Sequence, residues 1–139
     1  MNLITDRTQA DVLLGTGKGK YGAVDLNRVE SAVEMLFALA KAVDVPYVPD
    51  VKTDWAFPEL FSANAWPTQG QMARYLDNVN RLCEAVEIQA ALPVSMEKLN
   101  WQGANQIEQA LLAVEKRIQT IIQAFRFSGE LIAGEENCL

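Results

Sequence analysis

A chain of 139 residues, half of them apolar, has enough hydrophobic side chain to fill one core of ordinary domain size. Twelve basic residues against eighteen acidic ones leave a net charge of −6, which removes the attraction that supplies most non-specific affinity for phosphate backbones, so no nucleic-acid partner is expected. Histidine is absent, which excludes imidazole metal ligands and every catalytic triad that relies on one.

The chain opens with "MNLITDRTQADV", where an Asp and an Arg stand in place of the continuous apolar run of a signal peptide, so it reads as mature sequence. No stretch approaches the roughly 20 apolar residues of a membrane-spanning helix, and no membrane insertion is expected. The segment 1–21 reads as a short helix-like piece followed by the glycine-rich stretch "GTGKGKYG". That stretch fits neither register of a P-loop: the residue five after Gly15 is Lys20, and Gly22 is followed by Ala23. Gly15, Gly17 and Gly19 also miss the dinucleotide fingerprint, and no strand precedes them. The stretch reads as a loop.

From about residue 22 to 43 the apolar positions Leu26, Val29, Val33, Leu36, Ala40 and Val43 alternate three and four apart, one stripe of an amphipathic helix widened by Phe37 and Leu39. Asn27, Arg28, Glu30, Ser31, Glu34 and Lys41 take the remaining faces, and Gly22 with Asp25 three later suits a helix start. Residues 44–67 hold four of the five prolines and a cluster of rings. Tyr47, Trp55, Phe57, Phe61 and Trp66 are too large an apolar area for a disordered linker, which makes this an ordered, extended connection and these five residues the candidate partner interface.

A second helix is expected over 68–88, with Met72, Tyr75, Leu76, Val79, Leu82, Cys83 and Val86 on its buried face and Asp77 and Arg81 paired one turn apart outside. A third spans 103–127, where Ala104, Ile107, Leu111, Val114, Ile118, Ile121 and Phe125 keep the strict spacing of a coiled-coil seam that could serve within or between chains. Asn100 suits its cap, Ser128 and Gly129 its end, and residues 128–139 read as an irregular tail. The sum is an all-α single domain, a helical bundle. Its first and third helices share a pattern: Asn27, Val29, Glu30 and Ala32 correspond to Asn105, Ile107, Glu108 and Ala110, with Asn and Glu placed to bond nearby backbone.

Chemistry is thin. Cys83 reads as a buried core residue and Cys138 is too differently placed to pair with it. The close acids Glu30 and Glu34, Asp50 and Asp54, and Glu135 and Glu136 read as solvated surface, and no calcium-loop pattern occurs. No catalytic residue, cofactor site or metal site is expected, and the chain does not read as an enzyme.

Six pieces, "ITDRTQADV" (4–12), "LLGTGKGKYGAVDLNRVESAVEML" (13–36), "VKTDW" (51–55), "MARYLDNVNRL" (72–82), "ANQIEQALLAVE" (104–115) and "FSGELIAGE" (127–135), resemble small tail-associated proteins of phages and prophages of Gram-positive, Firmicutes-type bacteria. The chain departs from that group at Gly22, where an Asn-like cap is expected, and at Gln106, where an Arg is expected. The resemblance implies a structural protein of the virion near the baseplate, tail tip or fibre, assembled in the host cytoplasm. Its implied partners are other tail proteins and copies of itself, a trimer being favoured. A helical adaptor or assembly factor outside the particle is the alternative.

Overall fold

The structure is a computed structural model. It describes residues 2–43, 45, 47–57 and 66–138, with side chains inside the last helix described as far as Arg126. Its elements are helices: α1 (Gln9–Leu14), α2 (Ala23–Ala40), α3 (Gln69–Ala85) and α4 (Trp101–Cys138), with single 3-10 turns at Gly17–Gly19 and Lys41–Val43.

Each start is fixed locally. In α1 the Thr8 hydroxyl accepts from the Asp11 N–H at 3.3 Å while the Asp11 carboxylate accepts from the Thr8 N–H at 2.9 Å. In α2 the Gly22 N–H donates to Asp25 at 2.8 Å, in α3 Thr68 and Gln71 form the same reciprocal pair, and in α4 the Gly103 N–H donates to Asn100 at 2.7 Å. Gly15 closes α1 with φ +66°, and Gly19 lets the following turn fold so tightly onto α1 that a Cβ there would collide with the Asp11 carbonyl.

The three long helices run parallel. Their starts meet, since Arg28 bonds Glu108 and Arg74 bonds Glu30, and their later turns meet, since the Arg117 side chain donates to the Val86 carbonyl at 3.4 Å. Parallel neighbours need connections long enough to return along the bundle, and residues 41–68 and 86–100 supply them. The core between the helices holds the expected stripes: Leu26, Val29, Val33, Leu36 and Ala40; Tyr75, Val79, Leu82, Cys83 and Val86; Ala104, Ile107, Leu111, Val114 and Ile118.

Three expectations are corrected and one open choice is narrowed. The tail is helical, because α4 runs through Ser128 and Gly129 to Cys138; an interior Gly costs only about 1 kcal/mol in a helix, and the residues around it are mostly good helix formers. The seam, which the sequence left open to use within or between chains, is buried inside this chain from Ala104 to Ile118. Leu39 faces outward instead of widening the α2 stripe. Met72 and Leu76 are half-buried instead of core, because a cavity lies against their side of α3.

Candidate functional site

The five rings of the connection separate. Tyr47 is half-buried, tilted against Phe37 at 5.0 Å between centroids, with the Arg81 guanidinium 4.9 Å from its ring centroid. Trp55 is only 5% exposed and part of the core, its indole N–H donating to Glu30. As a surface anchor it is corrected: the expected interface residue is internal. Phe57 is half-buried against Trp66 at 4.9 Å, and Trp66, 43% exposed, is the ring presented to solvent. Phe61 lies outside the described residues.

What the structure assembles instead is a pair of clamps. On α4, Asn105 exchanges two hydrogen bonds with the backbone of Arg7, accepting from its N–H at 3.1 Å and donating to its carbonyl at 3.0 Å. One turn on, Glu108 accepts the Ile4 N–H at 3.0 Å. On α2, Asn27 exchanges the same two bonds with the backbone of Trp55, at 2.6 and 2.9 Å, and Glu30 accepts the Lys52 N–H at 3.1 Å. An Asn-x-x-Glu turn thus grips an extended segment at residues i and i+3, and both segments carry Thr-Asp in between: Ile4-Thr5-Asp6-Arg7 and Lys52-Thr53-Asp54-Trp55. Asn supplies one donor and one acceptor on a short planar arm, the pairing a neighbouring β-strand would offer.

Each carboxylate is then closed by the gripped segment's last side chain and by an arginine of the next helix. Glu108, fully buried, receives Arg7 at 2.6 Å and Arg28 at 2.6 Å, and Asp25 completes the group by accepting Arg28 at 2.6 Å and Arg7 at 3.3 Å. Glu30, 1% exposed, receives the Trp55 indole and Arg74. Two guanidinium groups meet two carboxylates in the first cluster and one meets one in the second. Among the described residues no buried side-chain nitrogen or oxygen lacks a partner, the condition under which burying charge is tolerable. Burial works against the Arg28 charge, but its hydrogen bonds to Glu108 and Asp25 outweigh this and hold its proton more tightly than in water.

Placing the helix caps Gly22, Thr68 and Asn100 on one another shows that α3 is a third copy. Val29, Tyr75 and Ile107 share a layer, as do Val33, Val79 and Leu111, then Leu36, Leu82 and Val114, then Ala40, Val86 and Ile118, all buried. The bridging arginine recurs as Arg28 and Arg74, with Gln106 in the third place; the clamp residues recur as Asn27 and Glu30, Asn105 and Glu108, but Ala73 and Leu76 on α3. Both ends of the third link are therefore uncharged. Arg28 reaches from α2 to α4 and Arg74 from α3 to α2, which leaves α4 to α3 as the missing step of the ring, Gln106 toward Leu76.

The chemistry available is recognition of extended backbone and burial of charge. Among the described residues no three metal-binding side chains converge. The shared Asn and Glu were legible in the sequence; their role was not, because the groups they bond lie 22 to 104 positions away. Glu30, read as solvated, is covered by a segment that only the fold brings over it. The signal that could have found the clamps is the Thr-Asp pair repeated in "ITDR" and "KTDW". No family model, curated protein or solved structure matches this chain.

Proposed function

We propose that this chain is a structural component of a phage tail or phage-tail-like particle, acting by protein–protein binding at a baseplate, tail tip or fibre attachment. The tail setting rests on the six sequence pieces that resemble tail-associated proteins. The observation that carries a binding role is α4. Among the residues whose side chains are described, its last fully buried one is Ile118, yet the helix continues twenty residues to Cys138, about 30 Å at 1.5 Å per residue. Along that extension Ile122 still packs against the core and Ile121 is half-buried, but Phe125 is 64% exposed, so the apolar seam reaches solvent by Phe125. Leu13 and Leu14 on α1 and Trp66 in the connection add apolar surface at other points.

In this reading the extension joins copies of the chain, a trimer being favoured, and the remaining surface contacts other tail proteins. Sedimentation equilibrium of the full chain tests the first part. Trimers are expected, and the Phe125→Glu variant, altered at an exposed position of the single chain, should sediment as a monomer while the unfolding free energy of that chain changes by only about 0.5 kcal/mol. A wild-type monomer at 100-fold the assay concentration of a typical micromolar assembly, about 100 µM, removes the trimer. Mass spectrometry of purified particles tests the second: stoichiometric retention supports a tail component, and absence from the particle leaves the adaptor.

A further inference from the structure

We infer that the groove between α2 and α4, in the part that lies beyond the segment 4–7, is a docking site for an extended segment of a different protein that alternates apolar residues with Lys or Arg. The inference does not rest on the tail reading. Three parallel helices form three grooves, and extended chain is what covers them. In the α2–α3 groove the cover runs from Tyr47, packed on Phe37, past Asp50, whose carbonyl accepts from Asn78 at 2.8 Å, to Trp55 on Asn27 near the helix starts. In the α3–α4 groove residues 86–93 return the same way. The Val86 carbonyl accepts from Arg117, Ile88, Ala90 and Leu92 pack against the core at alternate positions, and Pro93 meets Gly103. In the α2–α4 groove the described chain enters only at Asn2, close to the helix starts, and is gripped from Ile4 to Arg7.

Farther along that groove the surface is open and apolar. Met35 and Leu112 follow Arg28 and Asn105 by seven residues, which keeps them on the same helix faces, and each is 39% exposed; Leu39, one turn after Met35, is 36% exposed. With the helix caps superposed, the matching positions are Glu34, Arg81 and Ala85 along the α2–α3 groove, and Asn80, Ala113 and Arg117 along the α3–α4 groove. The two grooves that this chain covers thus have polar or small rims, and large apolar rim residues occur where its cover stops, the arrangement expected where another chain supplies the cover.

The occupant follows from the other two grooves and from one carboxylate. Both covered grooves hold extended backbone, and the occupant continues the line of segment 4–7. The chain's own extended segments, 4–7, 47–55 and 86–93, are each already seated, so among the described residues a second copy has none to lend. Glu115, half-buried beside Leu112 on α4, has no ion-pair partner among the described residues, and the positions matching it are the buried Phe37 and Cys83. A carboxylate in that place, on a chain of net charge −6, selects a Lys or Arg beside the apolar residues that meet Met35, Leu39 and Leu112.

The test pans the full-length chain against a displayed heptapeptide library and follows the enriched peptides, synthesised, by amide NMR. Expected are peptides that alternate apolar residues with Lys or Arg and shift amides of residues 32–39 and 112–122. Their affinity should fall about tenfold in Met35→Lys/Leu112→Lys and in Glu115→Lys, and the latter should bind the same peptides better once their basic residues are replaced by Glu. If the double variant fails to fold, Leu112→Lys alone, at a position already exposed, takes its place. No enrichment over an unrelated helical protein, shifts confined to other surfaces, or unchanged affinity in the variants would each overturn the inference. So would sedimentation equilibrium in which Met35→Lys/Leu112→Lys dissociates an oligomer formed by the wild-type chain, because the strip would then be covered by a second copy.

Discussion

Glu108 concentrates the demands of the fold on one side chain. It is fully buried, it accepts a backbone N–H from residue 4, and with Asp25 it pairs two guanidinium groups from different parts of the chain. Glu108→Gln keeps the volume but leaves Arg7 and Arg28 with Asp25 alone, so urea unfolding should show a loss of about 3–5 kcal/mol, the cost of breaking a buried pair. The exposed pair Asp77 and Arg81, at 2.8 Å, is the contrast: Asp77→Asn should cost less than about 1 kcal/mol. Near-equal losses at the two sites would show that the buried cluster is not a support. None of this difference was legible in local pattern, because a Glu two turns into a helix looks alike whether water or another segment lies over it. The helix stripe through Val29 and Ile107 was legible, since it depends only on the 3.6-residue period.

At the scale of elements, the connection between α2 and α3 carries two kinds of ring. Trp55 is pinned through its backbone to Asn27 and through its indole to Glu30, and the ammonium of Lys52 lies 5.2 Å above its ring. Trp55→Ala should therefore cost about 3–5 kcal/mol in thermal or urea unfolding, as large aromatic truncations in cores do, whereas Trp66→Ala should leave stability nearly unchanged. Equal effects would erase the division of these rings between core and surface. Composition revealed that the rings had to be buried against something; it could not apportion them, because burial of a loop residue is decided by which helix face the loop crosses. The end of α4 was misjudged for the opposite reason. A Ser-Gly pair is a common stop, but a stop signal is a modest preference that the surrounding helix-forming residues can outweigh.

As a whole molecule, the bundle is held at its base by Tyr21 and Tyr75, whose hydroxyls bond to each other. Burial raises both phenols above the ordinary value of 10.0. The unfolded chain releases these protons near pH 10 while the fold retains them, so above that pH the unfolded state binds fewer protons. The sign is then fixed: stability is full below pH 10 and falls beyond it, by up to about 1.4 kcal/mol per pH unit for each ring. Tyr21→Phe/Tyr75→Phe should flatten this alkaline limb; a limb of unchanged slope would assign the loss elsewhere. The parallel course of α2, α3 and α4 has a last effect on the molecule. In an antiparallel bundle the macrodipoles of neighbours cancel, but here they add, each placing about half a positive charge at the same end, where Asp25 lies in the first turn of α2. The protein is thus a vector, with one end that gathers three helix beginnings, and any assembly built from it inherits a direction from each subunit.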